Sequence, residues 1–288
     1  MSLTMEQRTN NAGWPKAGEL IQMAGTHPLE ASDRAILNIL YQHAHDSGRM
    51  TDPTAEWEIP LCEIRPSSHQ GNERLYESLQ RLRRVEVTLS YYAPGKGNQE
   101  PEERLLLTGL FDFFDVSARE LEKRATLRFG LPKKLAPLLA RSDRWGRIKA
   151  EVVCAMTSKY AIALYETIQL RAHLDRCVET FPIERFREQL GVPPGAYENG
   201  TNFMTKVITP ALLEVNGLSD VGVKVELCRR HARAPISGVT VAWWKKQGDE
   251  FRATLQERGR SKLGRMARLK GKTEIVAPLL PPLATGAG

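Results

Sequence analysis

The chain has 288 residues, of which 41% are hydrophobic and 26% charged, enough apolar mass for two globular cores. No run approaches the ~18 apolar residues that span a bilayer, and the start, MSLTMEQRTNNAGWPK, has no apolar centre of a secretory signal, so a cytoplasmic protein is expected. A net charge of +7 calls for a polyanionic partner, while four scattered cysteines (Cys62, Cys154, Cys177, Cys228) exclude a close-set zinc site and read as small side chains in a reducing compartment.

Residues 1–26 lack periodicity and are expected to form an arm. The stretch HPLEASDRAILNILYQHAHDSG then predicts a helix, started at Ser32 or Glu30, lined by Ile36, Leu37, Leu40 and Tyr41, and stopped at Ser47-Gly48. EWEIPLCEIRPSSHQG reads as a short strand, a turn of helix near Cys62 and a polar turn. NERLYESLQRLRRV is a further helix with Leu75, Leu79 and Leu82 inward and Arg74, Glu77, Arg81 and Arg84 outward. VEVTLSYY and RLLLTGLFDFFDV read as the two strands of a wing. With a bridging segment this makes a first domain over 27–150.

The same order returns over 151–247. TSKYAIALYETIQLRAHL predicts a helix capped by Thr157 or Ser158, with Ala161, Leu164, Tyr165 and Ile168 on one face. ETFPIERFREQLGV is a short strand entering a second helix, PPGAYENG a turn, and TNFMTKVITPALLEVN a third helix. VGVKVELCRR, HARAPIS and GVTVAWW form a hairpin with a basic tip. The third helices, centred near Leu79 and Val207, are offset by 128 residues, and the second helices, near Cys62 and Phe186, by 124. Two similar offsets indicate a duplicated architecture, an α+β chain of two tandem winged-helix domains. Residues 248–288 are expected to be a tail, basic and then Pro-rich. Its eight Lys and Arg between Arg252 and Lys272 face one acid, Glu257, and the net of seven equals the whole charge excess.

The third helix of the second domain divides in two. Met204, Val207, Ile208, Ala211, Leu212 and Val215 face a core, whereas Asn202, Thr205, Lys206 and Thr209 share the opposite side. Short polar and cationic side chains at that spacing can bond base edges and phosphates from the major groove. Pro210 removes a hydrogen bond to Lys206 and predicts a kink or break there. The wing tip, with Arg229, Arg230, His231 and Arg233, suits phosphate or minor-groove contact. Arg74, Arg81 and Arg84 allow either a second DNA contact or a protein surface.

Catalytic readings fare worse. LKGKT at 269–273 lacks the earlier glycine of a phosphate-binding loop, since Met266 stands there. His43 and His45 have the His-hydrophobe-His spacing of a metal-dependent nicking enzyme, with Tyr160 as a conceivable nucleophile. On a helix, however, they point about 200° apart and cannot share an ion. No enzyme activity, metal or cofactor is expected.

With these modules in hand, SKYAIALYETI, FPIERFREQLGVPPGAYENGTNFMTKVITPALLEVN and VGVKVELCRRHARAPISGVTVAW resemble plasmid replication initiators of the iteron-binding, tandem winged-helix type. LRFGLPKKLAPLL resembles the segment preceding the Ser-Lys-Tyr helix in that family, so the likeness spans about residues 126 to 243. Ala163 departs from it, at a position where these proteins often carry arginine. The resemblance implies binding of double-stranded DNA repeats at an origin, opening of adjacent DNA, and recruitment of the host initiator and helicase. It also implies dimers, joined through the first domain, that repress their own gene. Lys159, beside the capped helix start, is then expected to touch a phosphate, and Tyr160 and Tyr165 to pack their helix onto the reading helix. A transcription regulator with the same fold and no origin function remains open on the sequence pattern.

Overall fold

The computed structural model describes residues 13–66, 71–93, 100–116, 125–231 and 234–271. The expected arm is instead structured from residue 13 onward. Strand β1 (Trp14–Ala17) and the single turn α1 (Gly18–Ile21) bury Trp14, Leu20, Ile21 and Met23. Each element has four residues, too few to show a period. Helix α2 (Ala31–Asp46) follows, begun by a capping box in which Glu30 and Asp33 each accept from the other's backbone. Its apolar face is the predicted one.

Strand β2 (Glu56–Pro60) leads to turns at 61–64 rather than the short helix expected near Cys62, and then to α3 (Asn72–Arg84). The predicted wing is a hairpin, β3 (Glu86–Ala93) against β4 (Glu102–Gly109), in register Glu86 with Gly109. The returning strand is divided. After Gly109 the chain turns and resumes as β5 (Phe113–Val116), which joins β6 (Thr126–Gly130) in a sheet ordered β2-β6-β5. This sheet stacks Phe111, Phe114, Phe129 and Trp57 under α2. What read as a bridge thus supplies a central strand, then α4 (Leu135–Ala140), β7 (Trp145–Ile148) paired to β1, and α5 (Ala150–Ala155).

In the second module α6 (Lys159–Gln169) is buried along nearly its whole length, and Ser158 Oγ caps it by accepting from Ala161 N–H at 3.3 Å. Strand β8 (Val178–Pro182) precedes α7 (Ile183–Leu190), which ends at Gly191 with φ +72°. A side chain at Gly191 would meet the Arg34 guanidinium at 2.6 Å, so close contact with the first module requires glycine as much as the backbone angle does. The third helix runs as α8 (Gly200–Phe203), a π turn (Met204–Ile208) and α9 (Thr209–Leu218). Strands β9 (Val221–Cys228) and β10 (Gly238–Lys245) complete a sheet ordered β8-β10-β9.

The expected basic tail is folded through residue 271. Helices α10 (Gly248–Gly259) and α11 (Arg265–Leu269) pack on α9. Polar groups fasten them. The buried Arg265 guanidinium donates to the carbonyls of Ala155 at 3.0 Å and Arg260 at 2.9 Å, and Arg268 holds Glu257 at 2.8 Å. Lys246 Nζ donates to the Asn216 carbonyl, to Ser219 O at 3.0 Å and to Thr254 Oγ1 at 3.0 Å. Lys272 and the Pro-rich end lie outside the described residues. Among the described residues no helix is long and apolar enough to cross a membrane.

Strand β1 and helices α2 and α6 meet at a buried ionic cluster. Lys16 Nζ on β1 lies 2.6 Å from Glu166 Oε1 on α6, and Asn38 Nδ2 on α2 donates to the same oxygen at 2.7 Å. Arg34, one turn earlier on α2, donates to Thr26 Oγ1 at 2.8 Å. Burial lowers the pKa of Lys16, and Glu166 pulls it back up. Replacing Glu166 by Gln leaves Lys16 without its counter-charge, and we expect a loss of about 3–5 kcal/mol in urea unfolding. The double variant Lys16→Met with Glu166→Leu should lose clearly less; equal losses would mean the pair is not coupled.

Burial also lowers Lys246, to about 8, against the pull of Glu250 and Asp220. A depressed lysine lets the unfolded chain bind more protons between about 8 and the ordinary 10.5, so this contribution to stability rises with pH across that window. Urea midpoints of the wild type should therefore gain on those of Lys246→Met between pH 7.5 and 9.5. A constant difference would place Lys246 in a solvent-like setting.

Candidate nucleic-acid interface

The reading element begins at a built N-terminus. Asn199 Oδ1 accepts from Thr201 N–H at 2.8 Å and caps the first turn. Asn202, Thr205, Lys206 and Thr209 are all exposed, while Phe203, Val207, Ile208, Ala211 and Val215 are buried. Thr205 Oγ1 donates to Thr201 O at 2.8 Å, which leaves its lone pairs outward.

The helix neither breaks nor ends at Pro210. The Thr209 N–H reaches Met204 O, five residues back, and the flanking residues keep helical angles. Proline cannot donate to Lys206, and its ring crowds that carbonyl in an ordinary α-turn. Widening one turn relieves the crowding and lets the helix continue to Leu218.

Two side chains, Glu214 and Arg187, fix this helix against its neighbours. Glu214, buried on α9, accepts from Thr157 N and Ser158 N, each at 3.0 Å, and from the Thr157 hydroxyl. The start of α6 is therefore tied to the reading helix by a carboxylate. Tyr165 is fully buried and takes its hydrogen bond from Lys149 N–H at 3.3 Å. Tyr160 is half-buried beside Tyr197, and burial followed by that neighbour raises its hydroxyl pKa. Arg187 on α7 grips the turn ahead of α8, donating to Tyr197 O at 3.1 Å and to Ala196 O, with its guanidinium 5.1 Å from the Phe203 ring centre. Tyr197 itself has φ +56°.

On the wing, Arg230 and His231 are exposed. Arg229 folds back: it donates to Ala234 O at 3.3 Å and lies where a Cβ at Gly200 would sit, 2.2 Å away. Glycine at the helix start thus makes room for a wing arginine. Arg233 lies outside the described residues.

Two candidate contacts are placed otherwise than the sequence led us to expect. Lys159 Nζ donates to His27 O at 2.7 Å, and burial with the nearby Arg34 lowers its pKa. It joins the two modules. Arg81 bonds Asp33 at 2.7 Å and Glu30 at 3.4 Å, locking α3 to the start of α2. Asp33 is buried, and its capping geometry presents a carboxylate that draws in the nearest guanidinium. Arg74 and Arg84 remain exposed on α3. His43 lies 6.4 Å from the Phe129 ring, and His45 lies 3.2 Å from Asp46 and beside Trp14, so the two imidazoles diverge.

Between the modules runs a groove of roughly 1680 Å³. One wall is the outer face of the β3–β4 hairpin, with Ser90, Tyr92 and Leu105; the other carries Arg185, Arg187 and Arg229. Sequence patterns did not single out Arg187, Glu214 or Asn199. Only Asn199, directly ahead of a helical run, carries a local signal for its role.

No curated protein sequence matches the chain. Its fold is similar to that of the Pi initiator protein solved in complex with iteron DNA: 13% identity, TM-score 0.56, over 83% of this chain and 99% of that one. Domains 2 and 3 of RctB align at 12% identity and TM-score 0.47, over 76% of this chain and 83% of that one. The family model for the first winged-helix domain of initiator replication proteins matches residues 16–169, and the model for the second winged-helix domain of initiator Rep proteins matches residues 182–243. With both winged-helix domains matched in their proper order, the chain belongs to the initiator Rep protein family.

Proposed function

We propose that this initiator binds repeated double-stranded sites at a plasmid origin through its second module, with the first in line beside it. The observation that carries this reading is the exposed row Asn202, Thr205, Lys206 and Thr209 on a capped helix, flanked by a basic wing. The Pi protein, similar in fold, was solved on iteron DNA, which supports the same reading. Two modules each placing a helix in a major groove would cover about two helical turns, on the order of 20 bp. Binding and strain would open the adjacent duplex without covalent chemistry, and the assembled complex would recruit the host initiator and helicase.

The proposed division of labour is electrostatic grip from Lys206 and Arg230, and discrimination from Asn202 and the two threonines. Selection of duplexes from a random library, in chelator at moderate salt, should enrich one motif of about two turns. Enrichment of a single turn would assign sequence reading to one module, and no enrichment would sink the initiator reading. On the enriched site, Asn202→Ala should cost roughly 1–3 kcal/mol of discrimination at its base pair, whereas Lys206→Ala should weaken specific and unrelated DNA alike. Unchanged binding by both variants would place the reading face elsewhere.

We further propose a homodimer, joined through the first module, that represses the initiator's own gene. Strand β4 has one edge unpaired among the described strands, and its outer face exposes Leu105 by 65% and Leu107 by 74%. An exposed apolar edge strand is a template for a second strand. Leu105→Glu with Leu107→Glu should shift sedimentation to monomer while the library site is still bound. A dimer of undiminished stability would put the interface on another surface.

A further inference from the structure

Helix α10 is built inside out. It buries Thr254 and Glu257 and leaves Leu255 43% exposed. The inward polar groups are employed: Thr254 Oγ1 accepts from Lys246, and Glu257 receives Arg268 at 2.8 Å and Arg260 at 3.5 Å. The outward leucine has no comparable packing. Just past the helix, Leu263 is 86% exposed, more than any other large hydrophobic among the described residues.

Between α10 and α5 lies a groove of roughly 480 Å³. Cys154, Ala155, Leu255 and the Gly259 backbone give it apolar walls, and Arg258, Arg260 and Lys262 surround it against a single acid, Glu151. Lys262 is braced over it by donating to Cys154 O at 3.0 Å. Recessed apolar walls with a cationic rim match a ligand whose apolar side chains are flanked by carboxylates.

We propose that this groove docks an acidic amphipathic helix of a partner protein, on a surface separate from the row that faces DNA. Leucine-type side chains of the partner enter between α10 and α5, Leu263 closes over them, and glutamates meet Arg258, Arg260 and Lys262. Duplex DNA would satisfy the cations but offers nothing to two exposed leucines.

The test uses the full chain and a labelled synthetic helix of about 18 residues, with leucines at i, i+3, i+4 and i+7 and glutamates on its other positions. Fluorescence anisotropy at ~0.15 M salt should show saturable binding. Leu255→Ser with Leu263→Ser should weaken it about tenfold or more, as should Arg258→Glu with Lys262→Glu. Both variants should bind duplex DNA as the wild type does, which shows that the module is folded. Equal binding of a scrambled peptide, or leucine variants that bind the helix unchanged, would overturn the proposal. So would Leu263-dependent binding to anionic vesicles in place of the peptide, which would make the surface a membrane contact. Peptide binding that appears only after deletion of 273–288 would assign the groove to the chain's own end and equally overturn a partner.

Discussion

The Glu166 carboxylate is the point on which the arrangement of this molecule depends. It sits at 1% exposure in the middle of α6 and takes hydrogen bonds from β1 and from α2. Two elements, β1 and α2, therefore converge on one side chain of α6. Buried charges in a low-dielectric setting tolerate few alternative arrangements, because any shift that separates them exposes an unpaired ion to an apolar surround. The neighbours of the cluster extend the same constraint. Arg34 lies against Gly191 at the end of α7, and Lys159 reaches back to His27. These polar contacts are set within one continuous apolar core, to which Leu20, Ile21 and Leu37 contribute on one side and Ile162, Leu164 and Leu170 on the other.

The same device recurs at the far side of the second module. Glu214 joins α6 to α9, Asp220 receives Lys149 at 2.9 Å and Gln169 at 3.0 Å, and Lys246 and Arg265 bind α10 and α11 to the body. Each of these groups is almost fully enclosed and well provided with partners, which is the condition under which buried polar networks specify a structure rather than weaken it. Lys246 and Arg265 of the basic stretch after Trp244 are spent in this way, while Arg252, Arg260, Lys262 and Lys270 stay exposed. Arg265 and Arg268 hold carbonyls and Glu257, and Arg252 pairs with Asp249. Charge counted along the chain thus overstates what this stretch offers to DNA.

This explains which parts of the fold were legible in the sequence. Helices α2, α3, α6 and α9 carry stripes at a 3.6-residue period, and the hydrophobic pattern locates them and the exposed row on the reading helix. The wing strands were also legible, except that the returning strand of the first wing divides after Gly109. Residues 14–24 and 248–271 were not, because what holds them is a buried lysine, a buried glutamate and arginines donating to carbonyls. Such contacts join residues up to 150 positions apart and leave no local period. The partners of Arg81 and Lys159 were hidden for the same reason: an outward cation on a helical wheel says nothing about a carboxylate or carbonyl arriving from elsewhere in the chain.

The reading helix shows how a local rule can be right about a cause and wrong about its result. Pro210 does disturb the ladder, as its missing donor requires. The disturbance is absorbed by the five-residue bond from Thr209 to Met204, so the axis continues and Glu214, Val215 and Leu218 reach their seats. A break at Pro210 would free the Glu214 end of the helix from the Asn202 end, and the carboxylate could no longer hold α6 at a set distance from the exposed row. The π turn keeps the two ends on one rigid element. The half that faces outward is capped by Asn199 and steadied by Arg187; the half that faces inward is fixed by Glu214.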